Sequence, residues 1–170
     1  MSKITIEKTE YDRLIKLAYT DNLTGVGNRN ALQEVYETKT FNGVLYIDLD
    51  KFSSVNNTFG HAVGDEVLVL VGELLSQFKS TDEYVFRIGG DEFIILGSYS
   101  TKAVLQSRAQ ELVSKSLTIQ HSKVDLTLSI GALFMGSSNK LSLKDITTHA
   151  DSLMYSSKKI EGSAYSFNSL

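Results

Sequence analysis

The stretch Phe86-Arg87-Ile88-Gly89-Gly90-Asp91-Glu92-Phe93-Ile94-Ile95-Leu96 places two glycines and two adjacent carboxylates between two apolar runs. Residues 83–88 and 92–96 read as short strands, and the Gly-Gly-Asp step between them has the tightness of a hairpin. Upstream, Asn42-Gly43 turns the chain into Val44-Leu45-Tyr46-Ile47-Asp48-Leu49-Asp50, a β-branched and aromatic strand that finishes in acid. Between that strand and the hairpin a helical pattern begins at Val55, breaks at Gly60 and resumes through Val63, Val67, Leu70, Val71, Leu74 and Leu75, which predicts two helices with a glycine joint. Downstream, the patterning predicts a helix over 102–116, a long strand over 124–134, a helix over 143–159 and a last short strand over 164–167. Ahead of the first strand, Tyr11, Leu14, Ile15 and Ala18 mark an amphipathic segment over 6–18, and Asn28 can cap a helix through Ala31, Leu32, Val35 and Tyr36.

The order strand, helix, strand, strand, helix, strand is the split βαβ plan. It predicts an α+β fold, a ferredoxin-like or palm-type βαββαβ antiparallel sheet with helices packed on one face. Such a sheet sets the end of the first strand beside the hairpin, so Asp48 and Asp91 are expected to face one another. Asp50 lies two residues beyond Asp48 and shares its face if the strand is regular. Two carboxylates beside backbone carbonyls, without His or Cys, form a hard oxygen site suited to Mg²⁺ or Mn²⁺.

Composition narrows the partners. A chain of 170 residues, 42% hydrophobic and 22% charged, fits a single soluble domain. A formal charge of −3 offers no basic field for a nucleic acid polymer, so a phosphate-bearing partner should be small or metal-carried. The lack of cysteine removes disulfides, thiolate nucleophiles and Cys-type zinc sites. No apolar run approaches the ~20 residues of a membrane span, and the N-terminus is too polar for a signal segment, which together predict a cytoplasmic chain.

Six motifs in order resemble the GGDEF domain of the diguanylate cyclase family. They are TDNLTGVGNR from Thr20, IDLDKF from Ile47, NNTFGHAVGDEVL from Asn56, RIGGDEF from Arg87, LTLSIGA from Leu126 and ADSLMYSSKK from Ala150. The resemblance implies a fold akin to nucleotidyl cyclases and polymerase palms. It also implies the condensation of two GTP into cyclic di-GMP with release of two pyrophosphates, each GTP held by one subunit of a homodimer. Asp48, the Leu49 carbonyl and Asp91 match the family's metal ligands, with Glu92 as a further ligand or proton acceptor. Gly89 and Gly90 let the turn approach phosphates. Asn56 and Asp65 match the guanine contacts, and a carboxylate at 65 can accept both N1–H and N2–H of guanine, which argues for GTP over ATP. His61, Lys51, Phe52 and Lys158 fall at other substrate-side positions. Residues 1–18 are expected to be a helical linker and residues 19–170 the domain.

Three departures qualify the resemblance. The family's phosphate-neutralising lysine is replaced by Ser53, with Lys51 two residues away. Near the C-terminus Lys158 matches but the arginine does not: Ser163 stands there, and Lys159 is a candidate substitute. The product-binding Arg-x-x-Asp tetrad of many relatives reads Ser80-Thr81-Asp82-Glu83. An active but slow cyclase is therefore expected, the alternative being a degenerate module that binds GTP or a partner with little turnover. The stub at 1–18 is too short for a long coiled-coil stalk, so dimerisation is expected to be weak or substrate-driven, or the chain to be excised from a protein with a sensory domain.

Overall fold

The computed structural model describes residues 5–116, 120–121, 124–125, 127–136, 141–160, 162 and 164–170. In chain order the elements are α1 (Lys8–Tyr19), α2 (Arg29–Thr38), β1 (Gly43–Leu49), α3 (Phe52–Phe59), α4 (His61–Gln77), β2 (Glu83–Gly89), β3 (Glu92–Gly97), α5 (Lys102–Ser116), β4 (Gln120–His121), β5 (Val124–Asp125), β6 (Leu128–Phe134), α6 (Leu143–Ser157) and β7 (Ala164–Ser169). Strands β2-β3-β1-β6-β7 form one sheet in that spatial order, and β4-β5 form a separate two-stranded ribbon.

The first four of those five strands are the predicted plan. β1 lies between β3 and β6, antiparallel to both, and β2 pairs antiparallel with β3. Three expectations are corrected. The sheet is mixed, because β7 returns parallel to β6 after a helical crossover through α6. Its helices also cover both faces. Leu45, Ile47, Phe93, Ile95 and Ile130 pack under α3, α4 and α5, whereas Val44, Tyr46, Ile94 and Leu96 pack under α2 and α6. All seven residues of β1 are buried. The continuous apolar run of β1, without alternation, is the pattern of a strand covered on both sides. The strand expected over 124–134 is also divided: β5 pairs with β4, and β6 begins only at Leu128.

Local chemistry explains the element ends that position the site. The Asn28 side chain accepts hydrogen bonds from the backbone N–H of Asn30 (2.9 Å) and Ala31 (3.1 Å), capping α2 as expected. Ser142 and Asp145 form a reciprocal capping box that starts α6. Between α3 and α4 the glycine joint is Gly60, at φ +84°, a conformation that favours glycine. No helix among the described residues is long and apolar enough to cross a membrane.

α6 closes on the sheet over Gly131 of β6. A Cβ added there would run into the Ala150 carbonyl oxygen and the Met154 backbone nitrogen, so the helix sits at a distance only glycine permits. Gly131→Ala is expected to destabilise the fold by ~3 kcal/mol, because backbone rather than a flexible side chain must move. Urea denaturation of the variant against the parent measures it.

Candidate active site

β1 ends against the hairpin. Asp48 is the register partner of Glu92 on β3 and of Ser129 on β6. The Leu49 N–H donates to the Asp91 carbonyl (3.3 Å). Gly89 still pairs with Glu92, so Gly90-Asp91 is the turn, with Gly90 at φ +28°. The sequence predicts that Asp48 faces Asp91; the register instead sets Glu92 directly opposite Asp48, with Asp91 beside it at the hairpin tip.

Residues of the first motif clamp this hairpin. Arg87 donates through Nε (3.0 Å) and Nη2 (2.8 Å) to the Gly90 carbonyl, while its Nη1 lies 3.1 Å from Asp21 Oδ1. Asp21 Oδ1 also accepts from the Thr24 backbone N–H and hydroxyl. Burial works to raise the Asp21 carboxyl, but the Thr24 and Arg87 hydrogen bonds outweigh it and hold it below its usual range. Arg29 donates to the Ile88 carbonyl, tying the start of α2 to the hairpin.

Beyond β1 the chain reverses sharply. Asp50 N–H donates to the Thr127 carbonyl (3.0 Å), and the Ser129 hydroxyl donates to Asp50 Oδ1 (2.7 Å). Asp50 is thereby occupied in fastening the strand end. Lys51 takes left-handed backbone (φ 57°, ψ 24°), which costs a non-glycine residue ~1–2 kcal/mol and turns the chain straight into α3. Its side chain is exposed, as is Ser53, whereas Phe52 is buried in the core.

The residues matched to base recognition lie on α3 and α4. Asn56 is half-buried inside α3, and Asp65 is exposed in the second turn of α4. An N-cap role for Asp65 is excluded, since α4 begins at His61. His61 is exposed at that helix start. Asp65 lines a recess of about 530 Å³ with Leu23, Ala62, Val69 and Leu70. Gly64 was not singled out from the sequence, yet a Cβ there would collide with Asn56 Oδ1. The only sequence signal was its place between the two matched residues.

The contacts of two further residues are set by the fold alone. The Tyr46 hydroxyl donates to Glu92 Oε1 (2.8 Å), orienting that carboxylate from beneath. Burial and the Glu92 charge push the Tyr46 phenol well up, so it stays a donor. At the far end of β2, Glu83 is buried and held by Arg108 (Nη2 to Oε2 2.8 Å) and by the Tyr99 hydroxyl (2.8 Å). The Ser80 N–H also donates to it (3.0 Å). The tetrad Ser80 to Glu83 thus turns Glu83 inward and leaves Asp82 exposed.

Lys158, the C-cap residue of α6, lies 2.8 Å from Asp48 Oδ1. Lys158 is thus the ion-pair partner of this buried Oδ1, which accepts no hydrogen bond from any other group among the described residues. Lys159 instead lies over the Tyr155 ring, 5.4 Å from its centroid. Ser163 falls outside the described residues. No group of three or more His, Cys, Asp or Glu side chains forms a cation cage among the described residues. A cation here would have the Asp48 and hairpin carboxylates, with backbone carbonyls, waters and phosphate oxygens completing the shell. That sparse oxygen set, with a buried carboxylate oxygen met only by the Lys158 ammonium, fits Mg²⁺ or Mn²⁺.

Burial raises the Asp48 carboxyl to about 6, and Asp91 and Glu92 add to the rise against the pull of Lys158. The unfolded chain releases this proton near 3.8. The folded state therefore binds more protons between those values, and stability falls as pH rises through the window. In metal-free protein, Asp48→Asn should abolish this fall, read as denaturation midpoints from pH 4 to about 6.5.

The family model for "Diguanylate cyclase, GGDEF domain" matches residues 18–163. The chain is 32% identical over 165 residues to the cyclic di-GMP phosphodiesterase PdeR of Escherichia coli, covering 92% of this chain and 25% of that one. It is 32% identical over 150 residues to the diguanylate cyclase DgcP of the same organism, covering 84% and 43%. The chain thus spans less than half the length of these relatives. The fold matches the coiled coil and GGDEF domain of DgcB from Caulobacter crescentus in complex with c-di-GMP, with TM-score 0.81, 21% identity and coverage of 95% and 91%. It also matches the diguanylate cyclase SiaD of Pseudomonas aeruginosa in complex with its activator SiaC, with TM-score 0.80, 21% identity and coverage of 95% and 66%. With that model matching residues 18–163 of the 170, the chain belongs to the GGDEF domain family.

Proposed function

We propose that this chain is a diguanylate cyclase that condenses two GTP into cyclic di-GMP and two pyrophosphates, residues 19–170 forming the catalytic domain and 1–18 a linker. The observation that carries the reading is the buried Asp48 carboxylate at the end of β1, opposite the hairpin acids Asp91 and Glu92. Asp48, Asp91 and the Leu49 carbonyl are the proposed holders of Mg²⁺ or Mn²⁺. Bound there, the metal would polarise the α-phosphate and lower the pKa of the attacking 3′-hydroxyl.

The chain's own residues do the rest. Tyr46 fixes Glu92, the proposed acceptor of the hydroxyl proton. Gly89 and Gly90 leave the tip open to phosphates, and Lys51 and Lys158 offer cations. Asn56 and Asp65 are the proposed guanine contacts; the recess beside Asp65 has an apolar wall of Leu23, Val69 and Leu70, while Asn56 is not among its lining residues. His61 and Phe52 sit at the helix starts that carry this pocket, Phe52 as a buried support. Since each domain holds one GTP and the product is two-fold symmetric, two domains must face each other, in a transient or substrate-driven homodimer. A sensory domain elsewhere in a longer protein is compatible with the span of the relatives.

One observation favours a second reading, a GTP-binding module with little turnover. Ser53 stands exposed at the start of α3 where the family lysine is missing, and each charge-assisted phosphate contact is worth ~1.5–3 kcal/mol.

Incubation with GTP and Mg²⁺ or Mn²⁺ at high protein concentration, with products identified by mass, is expected to give cyclic di-GMP, and Asp91→Ala to abolish it. GTP binding by calorimetry with no product would favour the module instead. Ser53→Lys is expected to raise the rate by about tenfold, the effect of recovering ~1.4 kcal/mol in the transition state. Because Glu83 is committed to Arg108 and Tyr99, no product inhibition is expected through the 80–83 tetrad. Inhibition at low micromolar cyclic di-GMP would contradict this.

A further inference from the structure

Lys158 occupies a more particular place than a phosphate contact requires. Its side chain is 37% exposed while that of Asp48 is 8% exposed. One partner of the ion pair is thus fixed inside the sheet, and the other reaches in from solvent on a flexible stem. The Lys158 backbone is held at the end of α6, its N–H directed at the carbonyls of Met154 and Ser156, so the stem can swing without the helix moving. Burial works to lower the Lys158 ammonium, but Asp48, Asp91 and Asp50 together hold it above its usual range. Glu92, the remaining acid opposite Asp48, is already engaged by the Tyr46 hydroxyl.

The ammonium lies 2.8 Å from Asp48 Oδ1, and no other group among the described residues hydrogen-bonds that oxygen. A divalent ion bound by a carboxylate oxygen sits ~2.1 Å away, and an ammonium in contact with the same oxygen would crowd it with like charge. The two cations cannot share Oδ1 comfortably. Without either one, a buried carboxylate beside two other acids would be left unpaired, which a fold tolerates poorly.

We propose that Lys158 is a placeholder cation: it neutralises Asp48 while no metal is bound and is displaced from that carboxylate when the metal enters. The inference rests on the reading of Asp48 as a metal ligand. Displacement frees the ammonium at the moment the site acquires a metal, so that it can turn to the incoming triphosphate. Metal entry and the phosphate-binding cation are thereby coupled through one carboxylate, and Lys158 acts as a positioning residue.

The test is Mn²⁺ binding to the full chain without nucleotide, by electron paramagnetic resonance, paired with thermal unfolding with and without saturating Mn²⁺. If the ion pair is formed about 70–90% of the time, Lys158→Met should tighten Mn²⁺ binding by roughly three- to tenfold, since apparent affinity scales with the competent fraction. Metal-free Lys158→Met should melt below the parent, and saturating Mn²⁺ should bring the two together. Lys158→Arg, which restores the cation, should return Mn²⁺ affinity to the parent value. Unchanged Mn²⁺ affinity in Lys158→Met, or a melting deficit that persists in saturating Mn²⁺, would mean a static salt bridge and overturn the proposal. Asp48→Asn separates the two failures. If it binds Mn²⁺ as the parent does, the metal-ligand reading itself falls. If it loses Mn²⁺ while Lys158→Met behaves as the parent, only the placeholder falls.

Discussion

The burial of Asp48 governs the rest of this structure. A carboxylate at the end of a strand would ordinarily be solvated, but β1 is hydrogen-bonded on both edges and covered on both faces, so its last side chains are taken out of water. Such a group must be protonated, paired or metal-bound. The first two have a counterpart here: a carboxyl raised to about 6 and a lysine at contact distance from its buried oxygen. The surrounding polar contacts organise what can approach that oxygen.

The sheet divides the labour. α3 and α4 on one face carry Asn56 and Asp65, and Gly64 leaves the space that the Asn56 side chain occupies between the two helices. α6 on the other face carries Lys158 and is seated by contact with Gly131, so its reach to Asp48 depends on a packing distance set far from the charge itself. Between the faces, the hairpin tip is held through Arg87, Asp21 and Arg29, contacts spanning up to 66 positions of sequence. Loops at functional sites are most precise when rigid elements hold them at several points.

The Glu83 network shows the same economy at the opposite end of β2. An acid that could have faced a ligand is buried with a guanidinium, a phenol and a backbone N–H. Its charge is fully accommodated, and removing Arg108 would strand it in the interior. The departure at the tetrad is therefore more than the loss of an arginine. The position has become part of the core's polar framework.

The sequence by itself determined the hairpin, the acid-ended strand, the glycine joint and the cap at Asn28, because each depends on local conformational preference and on residues adjacent in the chain. It also determined the family, through six motifs in order. Tertiary structure alone decided that the helices cover both faces, since α2 and α6 lie outside the βαββαβ order and their placement depends on which apolar face remains open. It alone showed that the strand expected over 124–134 is split, that Tyr46 orients Glu92, and that Gly64 makes room for Asn56. The Lys158–Asp48 pair belongs to the same group: the two residues are 110 positions apart, and no local rule relates them. Periodicity and capping act over a few residues, whereas charge pairing in the interior depends on how whole elements stack.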